Sequence, residues 1–248
     1  MKTVRCFLAI NLELKTAVKI SELQQSLIAD SAEFKSEFLW VPPQNMHVTV
    51  RFLGNITEPM IQAIKDSLEE TTRNCAPFVM EAGAVGVFDA DSPKVLYCEI
   101  NDPNNELFQL VSGVHNVLEN TGFKEIEKPY IPHVTLARIA DGDADEIKQL
   151  VEKYSSPLGC ASSVRTLVCY QSQLMKSGVD YQLLWKLPLE KRMQSPGSPP
   201  LKKEIEAPPQ SDEESESPSE DSASTAPDES ANNTNSDAES VEQGEKQQ

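Results

Sequence analysis

Apolar side chains follow two alternating rhythms along the first 190 residues. "TVRCFLAI" (3–10) is a β-branched, apolar run that reads as a buried strand. Residues 13–29 keep a helical period, with Ala17, Ile20, Leu23 and Leu27 on one stripe. "FLWVPPQNM" predicts an extended, proline-stiffened approach to a strand, "HVTVRFLG". Thr57 predicts a helix cap, with Pro59 in the first turn and the helix running to about Thr71. A strand over roughly Phe78 to Phe88 ends in the turn "DADSP".

The order then begins again. "KVLYCEI" reads as a strand, and Asp102-Pro103 opens a helix with Leu107, Leu110, Val111, Val114 and Leu118 on one face. Gly122 follows as its stop signal. "KPYIP" leads, extended, into the strand "HVTLARI", and residues 143–154 form a helix bearing Ile147, Leu150, Val151 and Tyr154. "SVRTLVCYQSQL" predicts one strand, "KSGVD" a turn, and "YQLLWKLPL" the last strand. Equivalent pieces keep nearly constant offsets: 90 positions from Ile10 to Ile100, and 86 from His47 to His133. The chain is thus an internal repeat of structural elements, and two such halves are expected to pack about a pseudo-twofold axis. That packing brings equivalent strands face to face and sets His47 and His133 across one cleft.

Charge divides the chain further. Residues 1–190 hold 17 basic and 25 acidic side chains, whereas residues 191–248 hold 5 basic and 14 acidic. The second stretch has no aromatic residue and almost no aliphatic one, so it cannot bury enough apolar surface to offset its ordering entropy. The expected organisation is one folded domain over 1–190 and an acidic disordered tail over 191–248. Five cysteines without a CxxC spacing, no secretory signal and no long apolar run predict a soluble cytoplasmic protein with reduced thiols and no membrane contact. Nothing in the sequence demands more than a monomer.

Two of the three histidines sit in one repeated phrase, "HVTV" at 47–50 and "HVTL" at 133–136. Side chains alternate along a strand, so His47 and Thr49 face one way and Val48 and Val50 the other, with the same division at 133–136. Each phrase offers one imidazole and one hydroxyl over an apolar face. Two facing pairs suit displacement at phosphorus, where one group takes a proton from the attacking oxygen and another gives one to the leaving oxygen. Threonine hydroxyls are placed to hydrogen-bond the non-bridging oxygens. A lone histidine on a strand is ordinarily just a satisfied polar residue; two copies at matching places in a repeat argue for chemistry.

With these motifs in "WVPPQNMHVTVRFLG" and "PYIPHVTLAR", the start "RCFLAINL" and the closing "LVCYQSQLMKSGVDYQLLWKLPL", the chain resembles the two-histidine phosphoesterase superfamily. It is most similar to the branch of bacterial LigT-type RNA 2′,3′-cyclic phosphodiesterases, over almost all of residues 3–188. The resemblance implies a bilobal α+β fold, each lobe an antiparallel sheet with helices on its outer face and the active-site cleft between lobes. It implies hydrolysis of a terminal ribose 2′,3′-cyclic phosphate to a 2′-phosphomonoester without metal or other cofactor, and in some members a reverse 2′–5′ RNA ligation. By the family's usual assignment His47 is proton donor and His133 proton acceptor, although the two near-identical phrases do not themselves distinguish the roles.

Among other residues, Arg138 is a candidate phosphate ligand, but strict alternation puts it opposite His133 unless a bulge intervenes. Arg51 shares the face of His47 by parity, as a site residue or a rim arginine. Phe7 and Tyr130 could stack on a base or simply pack, and Ser172 could touch substrate or make a structural hydrogen bond. His115 reads as a helix-flank residue. Neither phrase carries a nearby carboxylate or cysteine to complete a zinc site, and no nucleotide-binding glycine loop occurs. The negative balance of the folded part disfavours extended phosphate contacts and points to a small target, an RNA end or a small nucleotide such as a nucleoside or ADP-ribose cyclic phosphate. A 2′-phosphate or nucleotide-binding module without turnover is the alternative from another class.

Overall fold

In the computed structural model, residues 2–124, 128–175 and 178–190 are described. The expected acidic tail and the first two residues of "KSGVD" lie outside the described residues. The first half runs β1 (Thr3–Asn11), α1 (Leu14–Asp30), β2 (Glu37–Trp40), a 3₁₀ turn (Pro43–Asn45), β3 (His47–Thr57), α2 (Glu58–Arg73) and β4 (Phe78–Phe88). The second runs β5 (Val95–Asn101), α3 (Glu106–Asn120), β6 (His133–Asp141), α4 (Ala144–Lys153), β7 (Cys160–Val164), β8 (Thr166–Met175) and β9 (Gly178–Pro188). The stretch expected as one strand from Ser163 is therefore two. Arg165 separates them because β7 pairs with β4 and β8 with β1, at opposite ends of the sheet. No helix among the described residues is long and apolar enough to cross a membrane.

The α+β, two-lobed fold that the resemblance implies is present, with the strands in one curled antiparallel sheet of order β7-β4-β5-β6-β3-β1-β8-β9. Reflecting that order about its centre matches β6 with β3, β5 with β1 and β4 with β8. The repeat is therefore interwoven rather than contiguous: β4, from the first half, completes the lobe of β5 and β6, and β8, from the second half, completes the lobe of β1 and β3. The lobes meet at a single paired position, Val48↔Val134. Beyond it β3 and β6 splay apart, and β2 fills the wedge by pairing with β6 from Trp40↔Ala137 to Glu37↔Asp141.

The main core lies between the sheet and the helices, with both central valines fully buried in it, and a small separate cluster joins Phe7, Ala9 and Val168. On α1 the buried stripe differs from its apolar reading: Thr16 and Gln24 are buried beside Ile20 and Leu27, and Ala17 is only half-buried. Both polar groups hold backbone that the sheet leaves open. Thr16 Oγ1 donates to the Ala161 carbonyl (2.7 Å), and Gln24 Nε2 donates to the carbonyls of Val41 (2.8 Å) and Leu136 (2.9 Å) in the wedge. On α2 Thr57 occupies the capping position without a side-chain hydrogen bond, and Glu58 and Pro59 open the helix. On α4, Asp143 does cap, accepting from the amides of Asp145 and Glu146. Asn105, in the left-handed region (φ 60°), starts α3, and the Asp102 carboxylate accepts from the Glu106 and Phe108 amides.

Gln24→Leu keeps the side-chain volume but removes both amide donations, leaving the Val41 carbonyl buried without its partner. The expected cost is about 2 kcal/mol in urea-induced unfolding; an unchanged midpoint would mean that the wedge does not depend on Gln24.

Candidate active site

The pairing Val48↔Val134 fixes what surrounds it. Continuing that antiparallel register by one residue in each direction sets His47 opposite Thr135 and Thr49 opposite His133. The valines between them are pulled into the core, so both imidazoles and both hydroxyls emerge on the other face of the sheet. The two histidines are thus diagonal across one strand pair, each beside the other phrase's threonine.

Both phrase-bearing strands then break alternation at the same place. Ala9 and Leu8 pair with Thr49 and Arg51, so Val50 is an extra residue in β3. Tyr97 and Leu96 pair with Thr135 and Ala137, so Leu136 is an extra residue in β6. Each bulge shifts the pleat by one position. Arg138 consequently returns to the face of His133 and Thr135, as its assignment to phosphate requires, and Phe52 takes the equivalent place in the other lobe. Arg51 is moved the opposite way. It is neither beside His47 nor at the rim but buried on the helix side, where its guanidinium donates to the Lys124 carbonyl. His115 is indeed on the flank of α3, and its Nε2 donates to the bulge carbonyl of Val50 (3.1 Å). Tyr130 packs rather than facing the cleft; its hydroxyl donates to the Thr49 carbonyl (3.1 Å), left open where β3 and β6 diverge.

A cavity of about 180 Å³ opens on this face. Its lining includes His47, Thr49, Thr135 and Arg138, and the previously weighed Phe7 and Ser172. His133 lies outside that lining, with its ring against Phe88 (5.0 Å) and Tyr97 (5.4 Å). Gly86 makes the Tyr97 position possible, since a Cβ there would stand 2.6–2.7 Å from the Tyr97 ring and hydroxyl. Arg5, Phe52 and Tyr181 also line the cavity and escaped the sequence reading. Arg5 was discoverable: it alternates with Phe7 and Ala9 on the strand next to the first phrase. Tyr181 was not, because its place depends on the pairing of β8 with β1.

Each imidazole is fixed by the same device. Nδ1 of His47 donates to the Asn45 carbonyl and Nδ1 of His133 to the Ile131 carbonyl, both at 2.7 Å and both two residues upstream. A carbonyl only accepts, so each neutral ring carries its proton on Nδ1 and presents a bare Nε2. Nε2 of His47 accepts from the Thr49 hydroxyl (3.1 Å). Beneath His47, Phe7 (4.8 Å) and Tyr181 (5.3 Å) form an aromatic bed. Burial pushes both histidines below the ordinary imidazole value, the upstream carbonyls oppose this, and at His47 the charge of His133 depresses it further. The pair therefore resists taking up two protons, which suits a site that works with one acid and one base. Arg5 and Arg138 both bear electrostatically on Tyr181, so two cations flank a site in an otherwise acidic domain.

Comparison with known proteins gives the family. The model described as LigT like Phosphoesterase matches residues 16–97 and 99–181. The chain belongs to the LigT-like phosphoesterase family. A relative named RNA 2′,3′-cyclic phosphodiesterase, from Aquifex aeolicus, is 30% identical over 186 residues, covering 74% of this chain and 96% of the relative. One of the same name from Archaeoglobus fulgidus is 28% identical over 180 residues, covering 72% and 97%. The crystal structure of Escherichia coli LigT without ligand shares the fold, with a TM-score of 0.62 at 20% identity, covering 77% of this chain and 99% of that one. The LigT-like site described above contains no clustering of three His, Cys, Asp or Glu side chains among the described residues.

In a proton NMR titration the His47 and His133 rings are expected to titrate below about 6.5, the unperturbed value. His133→Asn should raise the His47 value by removing the neighbouring charge. The unfolded chain then binds protons before the native one, so these rings leave stability untouched above pH ~6.5 and erode it as pH falls through their folded-state values. A His47 ring titrating at or above 6.5, or indifferent to His133→Asn, would contradict the coupling.

Proposed function

We propose that this LigT-like chain hydrolyses a terminal ribose 2′,3′-cyclic phosphate on RNA to a 2′-phosphomonoester, by general acid–base catalysis that uses no metal. The observation that carries this reading is the square of two imidazoles and two hydroxyls that the central register creates, with Arg138 brought to its edge by a bulge. The names of the Aquifex and Archaeoglobus relatives support the substrate class.

In the proposed mechanism the cyclic phosphate sits over the square, with Thr49, Thr135 and Arg138 donating to its non-bridging oxygens as charge grows there. His133, neutral at Nε2, takes a proton from the attacking water. His47, protonated at Nε2, gives its proton to the departing O3′, so the P–O3′ bond breaks as the new P–O bond forms and phosphate stays on O2′. The diagonal placement of the rings suits in-line attack, which needs acid and base on opposite sides of phosphorus. A second RNA end offering its 5′-hydroxyl in place of water would be joined through a 2′–5′ linkage by the same proton transfers.

His47→Ala and His133→Ala are each expected to lower kcat/KM on a short RNA ending in a 2′,3′-cyclic phosphate by about 10²–10⁴-fold. The double variant should be little worse than either single one, because the rings act as a unit. The product identified by chromatography should be the 2′-phosphate. A 3′-phosphate would reverse the proposed substrate orientation and the two histidine roles with it. Tight binding of a 2′-phosphorylated end without turnover would favour a binding module, and turnover of small cyclic nucleotides alone would exclude RNA as substrate.

Activity should survive dialysis against excess chelator, since the proposed proton transfers use only side chains. Loss on dialysis with recovery on adding one divalent metal would overturn the metal-free mechanism.

A further inference from the structure

The two lobes are not equivalent around their histidines, and the difference gives the site a direction. Beside the cavity at His47 lies a smaller hollow of about 80 Å³ that shares Asn45, His47 and Tyr181 with it. That hollow in turn shares Asn11, Gln44, Met46 and Tyr170 with a wider groove of about 480 Å³ between α1 and the 3₁₀ turn. The groove wall on α1 is formed by Leu14, Ala17, Val18 and Ser21, with Leu14 81% and Val18 46% exposed. Facing it is Pro43.

Among the described residues, no charged side chain lines the groove. Its chemistry is an apolar shelf with the carboxamides of Asn11 and Gln44 and the hydroxyls of Ser21 and Tyr170, and Asn11 and Tyr170 are hydrogen-bonded to each other (2.9 Å). A flat, neutral ring with amide-like edges fits such a surface, whereas a phosphate finds no cation there. The volume lies within the range of about 300–1,000 Å³ typical of small-molecule sites.

Around His133 the corresponding position differs in charge. Glu99 pairs with His133 as Asn11 pairs with His47, so a carboxylate replaces the carboxamide, and a phosphodiester leaving on that side would meet a negative charge. We propose that the groove along α1 holds the base of the nucleotide that precedes the cyclic phosphate, so that the RNA strand leaves the site past His47. This rests on the hydrolase reading given above and sharpens it: the substrate is at least a dinucleotide. It also bears on the histidine roles. If the strand leaves past His47, the ribose and its departing oxygen lie on that side and water enters from the side of His133.

The test compares kcat/KM for a dinucleotide ending in a 2′,3′-cyclic phosphate with that for a nucleoside 2′,3′-cyclic phosphate. For the native protein the dinucleotide should be favoured by about tenfold or more, the lower part of the range for one stacked base. Ala17→Trp, or Ser21→Trp one helical turn along the same wall, should fill the groove and bring that ratio to about one. Gln25→Trp, on exposed α1 surface outside the groove, should keep it. A native ratio near one, or a ratio indifferent to both groove substitutions, would overturn the proposal while leaving the hydrolase reading in place. Hydrolysis of neither substrate would overturn both.

Discussion

One backbone pairing organises this protein. Among the described residues, the lobes' sheets join only at Val48 and Val134, and both are drawn fully into the core. Their burial turns four polar side chains out on the opposite face. A slip of one residue in either strand would send an imidazole and a hydroxyl into the core and a valine into the cleft. The apolar halves of the two phrases therefore specify the polar halves' positions. Register places the candidate site, and the local Nδ1 hydrogen bonds then orient its two rings.

Much of the rest answers the backbone groups that this arrangement leaves open. As β3 and β6 separate, carbonyls that a continuous sheet would pair are exposed in the interior, and buried polar groups there must find partners. Gln24 and Tyr130 supply them at Val41 and Thr49, and His115 does the same at the bulge carbonyl of Val50. The third histidine is thus drawn into the same problem as the other two, from the opposite side of the sheet. The local field is likewise set by placement. The domain is acidic overall, yet Arg5 and Arg138 converge near Tyr181 beside the first histidine.

The sequence disclosed the order of elements, the repeat and the paired phrases because each is carried by local periodicity. It did not disclose what pairing alone decides. Strict alternation misplaced Arg51 and withheld Arg138, since both bulges arise from how β1 and β5 align with β3 and β6. Gln24 does not stand out on α1 because a polar residue on an apolar stripe looks like an interruption until the Val41 carbonyl above it is seen. The run from Ser163 onward read as one strand because nothing local at Arg165 announces a transfer between sheet ends. Tyr181 came to the cleft by two successive pairings, each remote in sequence.

The crossing of β4 and β8 between lobes bears on how such a molecule could have originated. One repeat unit alone would build two strands of a lobe's sheet and extend its last strand away from them, leaving an unpaired sheet edge. Its natural complement is the same strand from a second copy. Two units exchanging that strand would form a closed, symmetric homodimer with one histidine phrase from each subunit at the axis. Joining the two copies end to end preserves every pairing of that dimer. It also lets the two phrases' surroundings differ, as Asn11 beside His47 and Glu99 beside His133 do. Interwoven strands of this kind are the geometry that two strand-exchanged copies joined end to end would have, and in a symmetric pair of that kind neither end of a bound substrate would differ from the other.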